Sequence, residues 1–119
     1  PTMRSGLPLA SRMTLAFVRA LLAQGGGLVK PETFAEMARN NMGDLFVETL
    51  KTFVPAMSVD ANLFPDIPQK WGLSFSINTR ATQEGRAAGS LAWAGLGNLY
   101  FWVDPTTRVA GVWGTQILP

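Results

Sequence analysis

Apolar positions along the chain change their period twice. Met13, Phe17 and Leu21 recur at i+4, and Leu15, Val18 and Leu22 widen the stripe, which predicts a helix with one buried face. Ser11 is its expected N-cap, and Gln24 its approximate end. Gly25, Gly26 and Gly27 follow, and glycine enters the left-handed conformation without steric cost. Pro31 predicts the start of a second helix, since a missing N–H costs nothing at the first helical position. Glu32 then sits near the positive end of the helix dipole, and Phe34, Met37 and Ala38 form the buried face. Arg39-Asn40-Asn41 and Gly43 end it. Residues 1–10, with Gly6 and Pro8, read as a lead-in loop.

Residues 44–70 carry Phe46, Leu50 and Phe53 at helical spacing, but Pro55, Pro65 and Pro68 forbid a long helix. A long excursion with at most a short helical piece is expected, and loops of that length in compact domains are usually functional or lie against another part of the protein. From Trp71 the period becomes two. Leu73, Phe75 and Ile77 alternate with Ser74 and Ser76, predicting a half-buried strand, and a polar turn region follows from Thr79 to Gly85. Leu99 to Val103 is continuously apolar, as in a strand covered on both faces. Asp104-Pro105-Thr106-Thr107 predicts a turn, and Val109 to Ile117 the returning strand. The expected architecture is α+β: two helices, then an antiparallel β-meander. Residues 1–70 form the helical and loop part, and residues 71–119 the strands.

Composition narrows the function. Charged residues are 15% of the chain, against about a quarter in ordinary soluble domains, so part of the surface is expected to lie against something else. The ten basic residues are scattered and the net charge is only +2, which argues against nucleic acid. With no Cys and no His, disulfides, Cys or His zinc sites, Cys nucleophiles and a Ser-His-Asp triad within this chain are excluded. No metal or cofactor is expected. The longest uncharged stretch, Ala87 to Val103, falls short of the ~20 residues of a membrane helix and is broken by glycines, so no membrane span is expected. A soluble protein is expected, and its compartment, cytoplasmic or periplasmic, is left open.

Catalysis by these residues alone is weakly supported. Asp44, Asp60, Asp66 and Glu84 sit in polar loops, and Ser74, Ser76 and Ser90 have no His or nearby Lys to take a proton. The Pro1 amine, with the ~7.7–8.0 pKa of free termini, would need to open a buried strand, and Thr2 to Gly6 does not read as one. The informative segment is Gly85 to Asn98. Ala94, Gly95 and Gly97 let another group approach the backbone, and N–H groups along an edge strand can point at a developing oxyanion. A glycine-bearing strand that simply packs tightly fits the same residues.

The chain resembles the C-terminal portion of the serine β-lactamase-like hydrolases, the family of class C β-lactamases, D-amino-acid peptidases and related carboxylesterases. Gly6-Leu7 leading into Thr14 to Leu22 is similar to the helix after the family's "GGAGL-S" turn. Pro31-Glu32-Thr33 with Met37 resembles "SPETV-EM", and Trp71-Gly72-Leu73-Ser74-Phe75 the strand "WGLGF". Gly89-Ser90 through Trp93-Ala94-Gly95, then Tyr100 to Pro105 and Thr115-Gln116, is similar to the end of the family's esterases.

The resemblance implies an acyl-enzyme mechanism in which the Ser of an S-x-x-K motif attacks and its Lys and a Tyr manage protons. The family's third motif is K-T-G in β-lactamases and commonly W-G-G in esterases. Trp93-Ala94-Gly95 stands in that place, with Trp favouring esters over β-lactam carboxylates and Ala94 keeping a small residue. Trp93, Ala94 and Gly95 are the implied substrate-binding residues, and the Leu96 backbone N–H the implied oxyanion donor. This sequence has no S-x-x-K, and its one tyrosine, Tyr100, follows the motif. The implied partner is therefore an N-terminal part of the same enzyme carrying Ser, Lys and Tyr, with a small ester as substrate. The opening at Pro1, within loop-like sequence, agrees with a piece of a longer protein. The readings kept beside this one are a non-catalytic, aromatic-rich binding module and an inactive remnant of the fold.

Overall fold

In the computed structural model, which describes residues 9–95 and 97–115, helix α1 spans Leu9–Leu22 and α2 spans Pro31–Ala38. Leu9 and Ala10 are strong helix formers and carry α1 past Ser11, which lies inside the helix and is not its N-cap. The buried face of α1 is also narrower than its stripe. Val18 and Leu21 are buried, whereas Met13, Leu15 and Phe17 stay exposed. The helix stops in a glycine turn: Gly25 N–H donates to the Ala20 carbonyl (2.9 Å), and Gly26, at φ 47°, lies so close to Ala20 that a Cβ would come 2.7 Å from its Cα. In α2, Pro31 opens the first turn, Phe34 is buried, and Arg39 caps the C-terminal end in extended conformation.

Five strands follow: β1 Gln69–Trp71, β2 Ser76–Asn78, β3 Leu91–Gly95, β4 Leu99–Asp104 and β5 Val109–Gly114. They form one antiparallel sheet in chain order, the expected meander. The strand expected across Trp71–Ile77 is instead a hairpin. Gly72 N–H donates to the Phe75 carbonyl (2.8 Å), and Leu73 N–H to the Met37 carbonyl at the end of α2 (2.9 Å). Gly72 lies hard against that carbonyl, where no Cβ fits. The end of α2 thus turns the chain, exposes Leu73 and buries Phe75 and Ile77.

One sheet face packs on α1, which crosses β4 and β5. Phe75, Ile77, Leu91 and Val103 join Val18, Leu21 and Phe34 in a single core, each contributing roughly 1.5–3 kcal/mol by leaving water. Phe101 meets Phe17 and Phe75 edge-on, at 6.0 and 6.2 Å between ring centroids. β4 is not covered along its whole length: Val103 and Asp104 are buried, but Leu99, beside the β3–β4 turn, is exposed.

The excursion holds no helix among the described residues. It is tied down by backbone bonds from Val47 to Gln69 (2.9 Å) and between Leu50 and Ala61 (2.9 Å each way). Lys70 reinforces its start, donating to the Gly43 and Leu45 carbonyls at 2.8 and 2.7 Å. Phe53, at the far end of this hairpin-like loop, is 98% exposed.

Candidate functional site

The sequence pointed to an edge strand at Trp93–Gly95. The structure places β3 third of five, yet half of it is open. Its register with β4 runs from Leu91 to Gly95, whereas its register with β2 ends at Ala92. The cause is the β1–β2 hairpin held by the Met37 carbonyl, which ends β2 at Ser76.

A glycine bulge sets which backbone groups face the gap. Gly89, at φ 83°, donates to the Asn78 carbonyl (2.8 Å), and Asn78 N–H donates to the Ser90 carbonyl (3.2 Å), so two residues oppose one. Alternation from Ser90 then directs the N–H and C=O of Ala92 and Ala94 toward the β2 side. Ala92 faces Ser76 there; Ala94 faces no β2 residue.

The open half of β3 forms one wall of a cavity of about 410 Å³. Leu50, Met57, Val59 and Leu63 of the excursion line it too, with Gln69, Ser76 and Tyr100. Ser76 Oγ donates to Gln69 Oε1 (3.0 Å), and Gln69 Nε2 to the Ile67 carbonyl (3.2 Å), so the buried polar pair is satisfied internally. Tyr100 donates its hydroxyl to Asn98 Oδ1 (3.2 Å). Trp93 is half-buried and meets Trp71 edge-on, with centroids 4.5 Å apart. That contact fixes the indole at the cavity's edge.

The implied substrate-binding residues Trp93, Ala94 and Gly95 therefore share one wall of one cavity. Leu96, the implied oxyanion donor, lies outside the described residues, as do Pro1 and Gln116. Asp44, Asp66 and Glu84 are exposed and Ser74 lies in the β1–β2 turn, while Ser90 is buried and donates to the Ala87 carbonyl (2.7 Å). Asp60 differs from the other acids, because it lines the cavity. It accepts from Lys51 Nζ (2.5 Å) and Thr52 N–H (3.0 Å), and those two donors hold its carboxyl below the usual range. The excursion wall was not anticipated residue by residue. Its sequence signal was a long, proline-bearing excursion, of the kind that is usually functional or lies against another part of the protein.

Among the described residues, no group of three or more His, Cys, Asp or Glu is placed to hold a metal ion, and no helix is long and apolar enough to cross a membrane. No protein-family model and no curated protein matches this chain.

Proposed function

We propose that this chain forms one wall of the acyl-transfer cleft of a β-lactamase-like serine hydrolase acting on carboxylic esters. The observation that carries the proposal is the half-open β3, whose small residues Ala94 and Gly95 line a cavity beside Trp93. Attack on an ester carbonyl needs a surface along which the acyl group can lie and an N–H to meet the oxyanion. In this reading Trp93 packs on the acyl or alcohol group, and Leu96 N–H receives the oxyanion. The nucleophilic Ser, its Lys and the Tyr come from a part of the enzyme outside this sequence. Loss of one oxyanion donor typically costs about 2.7–4 kcal/mol of transition-state stabilisation, so the strand contributes to rate without side-chain chemistry.

The test combines intact-mass analysis with p-nitrophenyl butyrate turnover and fluorophosphonate labelling of the purified protein. Expected is ester hydrolysis, with the label on an S-x-x-K serine outside this sequence. Trp93→Lys should then lower ester turnover, and unchanged kinetics would put Trp93 outside the pocket. A second reading, an apolar-ligand binding module, is favoured by the largely apolar cavity lining, in which Ser76 is hydrogen-bonded to Gln69. Folded material with no labelled serine and no turnover selects that second reading.

A further inference from the structure

The cavity is apolar over most of its wall but carries charge of one sign. Its lining residues include two acids, Glu48 and Asp60, and no Lys or Arg. The two acids are not equivalent. Asp60 is neutralised by Lys51 at 2.5 Å. Glu48 is exposed and has no ion-pair or hydrogen-bond partner among the described residues. The cations nearest to it in sequence are already engaged, Lys51 with Asp60 and Arg39 with Glu36, and Lys70 of β1 donates to Gly43 and Leu45 while lying 3.6 Å from the Phe46 ring centroid.

We propose that Glu48 is a charge selector at this cavity, turning away ligands that carry a carboxylate and admitting neutral acyl chains. A volume of about 410 Å³ lies within the range of small-molecule sites, and Leu50, Met57, Val59, Leu63 and Trp93 supply an apolar lining for a chain. A carboxylate brought to the same cavity meets the unpaired Glu48, while Lys51, the cation beside Asp60, is already held by it. Two like charges a few ångströms apart in water change an equilibrium by about fivefold, and more where solvent is displaced. The proposal rests on the reading of this cavity as the substrate cleft, and it names which acyl groups enter.

The test is a binding measurement that needs no turnover. Heptan-2-one and hexanoate share a chain and differ at one end by a methyl group against an ionised oxygen. Both are titrated at pH 7 and low ionic strength, following tryptophan emission, with Trp93→Phe identifying the cavity signal. Heptan-2-one should bind at least about fivefold tighter than hexanoate, and Glu48→Gln should narrow the gap. Glu48→Lys should reverse it, and added salt should weaken the preference in the unaltered protein. Equal affinities for the two ligands, or a preference that survives Glu48→Lys unchanged, would overturn the proposal. A protein that shows this preference yet hydrolyses no ester keeps the selector and loses the hydrolase reading, so the two fail separately.

Discussion

The two halves of β3 are built from similar residues and have opposite fates. Leu91 and Ala92 have strands on both sides and are 1% and 7% exposed. Trp93, Ala94 and Gly95 have β4 on one side only, and exposure rises along them toward the turn. Nothing in the five residues themselves sets this boundary. It is set some twenty residues earlier, where Gly72 and Leu73 turn against the end of α2 and stop β2. A strand can thus be core at one end and a binding surface at the other, provided its neighbour is cut short. The half paired on both sides then anchors the open half, as a precise site requires.

The largest expected effect lies in the closed half. Leu91→Ala should cost roughly 2–5 kcal/mol in denaturant unfolding, because it opens a cavity among Val18, Ile77 and Val103. Ala92→Pro should be comparably severe, since it removes the donor that faces Ser76 and drives a ring into the ladder. Trp93→Ala should cost clearly less than Leu91→Ala despite removing more atoms. Equal costs for the two would mean that β3 is buried evenly along its length.

Next is the far side of β4. A Cβ on Gly111 would overlap the Trp102 indole, over which the Arg86 guanidinium also lies at 4.6 Å. Gly111→Ala should destabilise by about 1–3 kcal/mol through overpacking. Trp102→Ala should remove that penalty, so the double variant is more stable than the two single costs predict. Strict additivity would show that the ring and the glycine do not meet.

An effect of similar size concerns the segment that leads into β3. Asp104, 2% exposed, accepts from Ala87 N–H (2.9 Å) and, within its own turn, from Thr106 and Thr107 N–H (2.9 and 3.0 Å). Burial pushes its carboxyl up, but the Ala87, Thr107 and Thr106 donors outweigh burial and leave it below its ordinary 3.8. A depressed carboxylate contributes stability that is fully present above the unfolded value and is lost as pH falls through the folded one. Asp104→Asn should therefore cost about 1–3 kcal/mol at neutral pH, with the gap to the unaltered protein closing below pH 3.8. A gap that stays constant from pH 7 to pH 2 would remove the ionised carboxylate from the argument.

What the sequence disclosed follows the range of each interaction. The α2 start at Pro31, the Asp104 turn and the antiparallel meander were legible, since each depends on a local residue preference or a period. The break between β1 and β2 was not, because the alternation Leu73, Phe75, Ile77 reads as one strand. Only the Met37 carbonyl, distant in sequence, turns it into a hairpin. The candidate site was half legible for the same reason. Small residues at Ala94 and Gly95 marked one wall. The wall built from Leu50, Met57 and Leu63 depends on the Leu50–Ala61 pairing and on Lys70 holding the Gly43 and Leu45 carbonyls. Neither follows a period.

The smallest expected effect tests the boundary itself. Ala92 and Ala94 have the same side chain, the same parity and N–H groups directed to the same side of β3. They differ in what lies opposite, Ser76 for one and the cavity for the other. Proline removes a donor and places its ring where the N–H pointed, which an open edge tolerates and a ladder does not. Ala94→Pro should therefore cost no more than about 1 kcal/mol, and its fixed φ offsets part of that by restricting the unfolded chain. The ladder to β4 should persist, as read by slow amide exchange at Phe101 and Val103. If Ala94→Pro unfolds the protein as Ala92→Pro does, a strand or segment covers that edge, and the open half of β3 is not available to a ligand.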